Sequence, residues 1–356
     1  MLRDSRALRV LIVAIGTIAA LTSAIALLLL VGGYDVVRAL DALWTGSVGS
    51  WYAVTSATLV RAIPLMLTGC AVAVAFRAGV FNIGAEGQLL AGGAAAAAIA
   101  LAFPDTGRVT LLAALLAGIL AGGAWAGIAA LLRERFGVQE VISTIMLNFI
   151  ALYGVSLLVR GMLQEPTHAY PQSSTIAEAV RLTRLPGAGR LHTGILIALA
   201  IALLMGWLFR NSAAGFRLMA VGESPAAAMS AGMIDVHRTR TMAFVTSGAL
   251  AGLAGAIEVL GVTYALYEDL SPGYGYTAIA VALLAGLDPW RVMFTSLLFG
   301  ALEAGAGAMQ RDAGVPSTLV AMIEALLILG VVAAQAVRRR RTTHANVDDA
   351  GLEPTT

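Results

Sequence analysis

Five ionisable side chains stand inside long apolar runs of this chain: Arg61, Glu86, Glu258, Glu303 and Glu324. In hydrocarbon such groups cost about 2.5–3.5 kcal/mol each on insertion scales, and they face an interior cavity rather than lipid. Asn82, Gln88, Thr144 and Asn148 add uncharged polar groups. The densest cluster is Asn82 to Gln88, reading Asn-Ile-Gly-Ala-Glu-Gly-Gln, with two glycines, two amides and a carboxylate. This stretch does not suit a lipid-facing helix and reads as a broken or re-entrant one around Gly84 and Gly87, lodged inside a bundle. Its chemistry would be hydrogen bonding to a polar solute. The alternative is that the same groups fasten helices together without touching solute.

Glu258, in GLAGAIEVLGV, and Glu303, in FGALEAGAGAM, each have a small residue one turn away (Ala254 and Gly307), which permits close helix approach. Solute contact is one reading for them and ion pairing, with Arg61 for instance, the other. Thr144 and Asn148 share one helix face. The pathway candidates are therefore Asn82, Glu86, Gln88, Asn148, Glu258 and Glu303. Catalytic chemistry has no such support. No Ser/His/Asp set or metal-ligand spacing stands out, and His192 and His237 read as solvated loop residues. The single cysteine, Cys70, offers neither a disulfide nor a thiolate metal site. All 23 basic residues are arginines, so no Walker A lysine exists. Neither a cofactor nor ATP hydrolysis by this chain is expected.

The elements that must position these groups follow from composition. Of 356 residues, 59% are hydrophobic and 12% charged, with a mean hydropathy of +0.84. Soluble domains carry about 25% charged residues, so a soluble enzyme is excluded. A formal net charge of +2 gives no argument for nucleic acid. No alternating segments of barrel type occur. The fold class is all-α and polytopic, with about ten transmembrane helices near 10–31, 51–75, 85–103, 109–132, 139–160, 193–209, 239–263, 274–288, 291–310 and 316–337. The run from Val10 to Val31 follows Arg3, Arg6 and Arg9 and is too long for a signal-peptide core. Residues 1–337 read as one transmembrane domain, with an external loop at 161–192 and a polar cytoplasmic tail at 338–356 headed by Arg338 to Arg341. Most arginines fall on one side of this map, which places both termini in the cytoplasm. Within the external loop, Ile176 to Leu182 reads as an amphipathic piece lying along the membrane surface.

The segment 215–238 on the cytoplasmic side looks built for a partner. Ser224 supplies an N-cap, Pro225 a first-turn proline, Ala226 to Ala228 strong helix formers and Gly232 a stop. They predict a short helix over 225–231 showing Ala226, Ala227, Met229 and Ser230. Such a helix either docks in a groove of a cytosolic partner or lies on the membrane between two spans.

This segment, GFRLMAVGESPAAAMSAGMID, resembles the cytoplasmic coupling segment of ABC importer permeases of the branched-chain amino acid and ribose type. RAGVFNIGAEGQLLAGG at 77–93 resembles the signature of the nucleoside and simple-sugar branch, and GYGYTAIAVALLAGLDPW at 273–290 a third shared segment. Ser224 departs from the commoner Gly-Glu-Asn-Pro form while keeping the capping role. The resemblance implies a passive pathway for a nucleoside or simple sugar, with Gly222, Glu223, Ser224, Pro225, Ala226, Ala227 and Gly232 coupling it to a cytosolic ABC ATPase. It also implies a second permease subunit and an external solute-binding lipoprotein or periplasmic protein. The alternative is a proton-coupled secondary transporter using Glu86, Glu258 or Glu303, in which a docking helix has no role. Leu-Leu-Ala-Gly follows a polar, Gly-rich stretch near both 77–93 and 270–290, which suggests broken or re-entrant segments there and two inverted five-helix halves.

Overall fold

The computed structural model describes residues 22–230 and 234–323, together with Gly16, Ala19, Gly232, Ala325, Leu326, Leu329 and Gly330. Glu324, most of the first predicted span, the end of the last one and the arginines at both termini lie outside the described residues. The chain divides into two compact units, one from Met1–Ser50 with Leu302–Thr356 and the other from Trp51–Ala301.

Among the described residues, seven helices are long and apolar enough to cross a membrane. They are α3 (Trp51–Arg77), α4 (Ala85–Ala102), α5 (Arg108–Phe136), α6 (Glu140–Val159), α7 (Gly194–Asn211), α10 (Val236–Thr263) and α12 (Pro289–Asp312). Each falls on one predicted span. The remaining helices are shorter: α1 (Thr22–Val31), α2 (Val36–Ser47), α8 (Ala213–Glu223), α9 (Pro225–Ser230), α11 (Tyr274–Leu284) and α13 (317–323). Of the expected spans, the eighth coincides with α11, which is too short to cross alone, and the first and last fall partly outside the described residues. At 1.5 Å per residue the 11 residues of α11 reach about 16 Å, half of a hydrocarbon core. Helix α2 was not foreseen, because Asp35 and Arg38 make its start look like a loop; Asp35 in fact caps it, its carboxylate accepting from the Arg38 N–H at 3.0 Å.

In the unit 51–301, α3 and α10 are the inner helices, buried along most of their length, whereas α5, α6 and α7 are largely uncovered and form the rim. The interior is assembled on glycine. A Cβ on Gly252 (α10) would stand 2.2 Å from the Gly118 carbonyl oxygen of α5, one on Gly92 (α4) 2.3 Å from Gly252 Cα, and one on Gly255 1.9 Å from the Leu89 carbonyl oxygen. Helices in lipid gain little from burying apolar side chains against each other, so this backbone-to-backbone packing is where their association energy arises. In the unit built from 1–50 and 302–356, Ile25, Leu29, Ala42, Met309, Val315 and Ile323 belong to one core.

The 161–192 loop does not behave as expected. Ile176, Val180 and Leu182 are buried, and the backbone N–H groups of Ser173, Ile176 and Leu182 donate to the carbonyls of Leu266, Tyr264 and Leu260. The apolar piece therefore covers the end of α10 rather than a membrane surface. It carries His192 into the interior, fully buried instead of solvated.

The glycine seam generates a prediction. Gly252→Ala destabilises the protein by about 1–3 kcal/mol or more, since a methyl there meets backbone that cannot rotate away. Gly154→Ala, on α6 with nothing within 4 Å of a new Cβ, leaves the thermal midpoint unchanged or raises it slightly. Thermal unfolding of both variants in detergent or nanodiscs checks the contrast.

Candidate functional site

The break between α3 and α4 is where the sequence concentrated its polar groups, and the structure gathers most of them there. Asn82 is fully buried. Its Nδ2 donates to Gln88 Oε1 at 3.0 Å and to Ser247 Oγ at 2.9 Å. Its Oδ1 accepts from the Gly84 N–H at 2.9 Å and from Gln88 Nε2 at 2.9 Å. Asn148, on α6, accepts from the Gly87 N–H at 2.8 Å and donates to the Ile83 carbonyl at 3.0 Å and to Tyr276 Oη at 3.2 Å. The amides thus satisfy the backbone groups that the interrupted helix leaves open, as a low-dielectric interior requires. Thr144, one turn before Asn148, donates to the Glu140 carbonyl.

Glu86 lies in the first turn of α4, and its Oε2 accepts from the Gly275 N–H at 2.7 Å. The carboxylate thereby stands at the start of two helices, α4 and α11, whose N-terminal ends both favour negative charge. Ser271 also caps α11, accepting from the Tyr274 N–H at 3.1 Å. The approach is possible only because residue 275 is glycine: a Cβ there would be 2.2 Å from the Glu86 nitrogen. The far end of α11 is held as well. Arg77 Nε donates to the Leu287 carbonyl at 3.2 Å and Arg77 Nη2 to the Gly286 carbonyl at 3.3 Å. The two segments 77–88 and 273–287 therefore grip each other at both ends of α11.

Glu258 is buried on α10, where the charges of Arg61 and Arg190 both act on it. Glu303 is half-buried on α12 in the other compact unit. Gly275, Ser247 and Tyr276 complete the cluster and had not been singled out. Ser247 could have been found, since it lies about three turns before Glu258 and so on the same face of α10.

At the end of the bundle opposite the 161–192 loop, Ser224 breaks the chain between α8 and α9, its Oγ accepting from the Ala227 N–H at 3.3 Å. Pro225 starts α9, and Gly232 follows it with φ +70°. Val221, Ala228 and Val236 form a small core beneath, while Glu223, Ala226, Ala227, Met229 and Ser230 are exposed. Gly222 rests on the end of α3, where a Cβ would be 1.9 Å from the Arg77 carbonyl oxygen.

His192, beneath the 161–192 loop, accepts from the Gly194 N–H through Nδ1 and has no partner for Nε2 among the described residues. Burial, reinforced by the charges of Arg184 and Arg190, pushes its pKa down to about 4.

Long apolar helices around a buried joint between interrupted segments define a multi-spanning membrane protein of transport type. The comparison with known proteins names the family. The model of the branched-chain amino acid transport system permease component matches residues 54–332, and the chain belongs to that family. It is 40% identical to the guanosine ABC transporter permease of Bacillus subtilis over 317 residues, 88% of this chain and 90% of that protein. It is 35% identical to a glucose ABC transporter permease of Haloferax volcanii (86% of this chain, 83% of that protein). A nucleoside ABC transporter permease of Lactococcus lactis is 33% identical over 85% of each chain. This chain is thus a permease subunit, a membrane component of a transport system.

Two predictions follow from this geometry. Gly275→Ala separates the starts of α4 and α11 and lowers the thermal midpoint strongly. Glu86→Gln keeps an acceptor for the Gly275 N–H but removes the charge, and costs only about 0.3–2 kcal/mol, the range for a charge at a helix end; thermal unfolding ranks the two. For His192, the unfolded chain binds a proton near pH 6.5 whereas the folded chain does so only near pH 4. Stability is therefore complete above about pH 6.5 and falls as pH drops toward 4, by about 3 kcal/mol at most. His192→Gln should flatten this part of the profile, measured as the thermal midpoint of each protein between pH 7.5 and 4.5.

Proposed function

We propose that the chain is the permease subunit of an ABC importer that carries a nucleoside, delivered by an external binding protein, across a bacterial plasma membrane in which both termini are cytoplasmic. Residues 1–337 act as one permease domain, which pairs with a second permease subunit and has no enzymatic activity of its own. The observation that carries this reading is the exposed helix α9 with its anchor. Ala226, Ala227, Met229 and Ser230 offer a small, weakly polar face, and Gly222 fixes the segment on Arg77. A cytosolic ATPase docked on Gly222 to Ala227 would displace that anchor. Arg77 would pass the displacement to Gly286 and Leu287, and so to α11 and its joint with Glu86. A secondary transporter has no use for such a face.

The solute class rests on the guanosine and nucleoside permeases among the relatives. The glucose permease supports a simple sugar as the second reading. For the pathway we infer a division of labour. Asn82, Gln88 and Asn148 are occupied with backbone groups of the break, and Glu86 with α11. They frame the path, together with Glu258. The exposed rings of Phe81 and Tyr276, at 55% and 46%, lie beside this frame and are suited to stacking on a flat base. The exposed arginines Arg108 and Arg184, with the half-buried Arg181 over the ring of Tyr264, make the opposite end basic and suited to an acidic face of the binding protein.

Ala227→Arg tests the coupling. The variant should fold like the natural chain, because residue 227 is exposed. It should lose co-purification with the ATPase and at least tenfold of the solute-stimulated ATP hydrolysis of the reconstituted complex. Normal hydrolysis and uptake by this variant would overturn coupling through α9. Uptake driven by an imposed proton gradient without the ATPase would overturn the importer reading itself.

A further inference from the structure

An apolar recess of about 230 Å3 opens between α3, α7, α8 and α10, walled by Val74, Leu208, Phe209, Leu218 and Met242. It lies at the level of the last turns of α3 and α7, just inside Arg77 and Arg210, which stand in those turns. That is the depth at which a bilayer changes from acyl chain to head group. Exposed apolar side chains stand among or next to the lining residues: Leu204 and Trp207 on α7, Met242 on α10, Phe216 on α8. Helix α7 belongs to the rim of the bundle, so lipid reaches the mouth in a membrane.

One charged group lines the recess, Arg217. It is exposed and takes no part in the ion pairs among the described residues, whereas Arg210 nearby is paired with Asp288 at 2.7 Å. A free guanidinium at the edge of an apolar slot matches an anionic head group above an acyl chain, since its planar fork binds phosphate oxygens two at a time.

We propose that this recess is a lipid site in which one acyl chain of an anionic phospholipid lies along Leu208, Phe209 and Leu218 while Arg217 holds the phosphate. The site shares a wall with the segment described above. Helix α8 carries Leu218 and Arg217 in the recess and Gly222 on Arg77, and its start is locked on α7, where a Cβ on Gly215 would be 2.3 Å from the Leu208 carbonyl oxygen. A bound lipid would thus steady the helix that leads into α9.

The test is native mass spectrometry of the full-length, delipidated protein titrated separately with dioleoyl phosphatidylglycerol and dioleoyl phosphatidylcholine. One tightly held phosphatidylglycerol is expected, preferred about fivefold, as one arginine near a membrane surface would give. Arg217→Gln should reduce phosphatidylglycerol to the level of phosphatidylcholine. Leu218→Trp, which fills the recess, should reduce both. Equal binding of the two lipids by the natural chain, or an undiminished preference in Arg217→Gln, would overturn the head-group assignment. Undiminished binding in a folded Leu218→Trp would overturn the acyl slot. If Leu218→Trp does not fold, the Arg217→Gln titration still decides, because that exposed side chain supports nothing in the core.

Discussion

A helix interrupted inside a membrane protein exposes backbone N–H and C=O groups where no water can take them, and the architecture of the 51–301 unit answers that constraint. Two interruptions occur, before α4 and before α11. The open groups at the first are met by Asn82 and Asn148, and at the second by Glu86 and Ser271. The carbonyls beyond α11 are met by Arg77. Each unpaired group would cost several kcal/mol in hydrocarbon. The polar residues are therefore the condition for having breaks at all, and the breaks are what allow non-helical backbone at the centre of the bundle.

Satisfying those groups demands close approach, and the approach is provided by absent side chains. Gly275 lets α11 reach Glu86, and Gly222 lets α8 reach Arg77. The seam of Gly92, Gly118 and Gly252 draws α4, α5 and α10 together. In a soluble protein a hydrophobic core could absorb small misfits. Here apolar side chains face apolar solvent, so shape at the backbone does the work that solvent exclusion does elsewhere.

The sequence was most legible where one physical signal dominated. Seven spans were readable because twenty apolar residues have few other uses. The break at Asn82 to Gln88 was readable because its composition contradicts a lipid-facing helix, and the start of α9 because Ser224 and Pro225 have specific capping roles. Less legible was anything decided by a partner distant in the chain. The structural bonding of Asn82 to Ser247 could not be read, because the two residues are far apart in the chain. The buried state of Ile176, Leu182 and His192 depended on the loop folding back on residues 260–266. An amphipathic piece seeks any apolar surface, and the end of α10 competes with the bilayer for it. The short α11 was hard to recognise because its apolar run continues past Leu284, while its true end is set by Gly286 and Leu287, both at positive φ.

The order of contacts along the chain bears on how a signal could travel. Helix α9 rests on a small core with Val221, Val221 precedes Gly222, and Gly222 sits on Arg77. Arg77 also reaches across to the end of α11, and the start of α11 meets Glu86. Most of these steps are backbone contacts or bonds to backbone, so little slack from side-chain rotation intervenes. A displacement at α9 would thus arrive at the joint as a shift of α11 as a body, with Gly275 sliding on the start of α4. Glu86 is the group placed to resist or permit that slide, because its bond to the Gly275 N–H is the one that must lengthen. On the proposed coupling, the buried carboxylate would act in the energetics of opening without contact with solute.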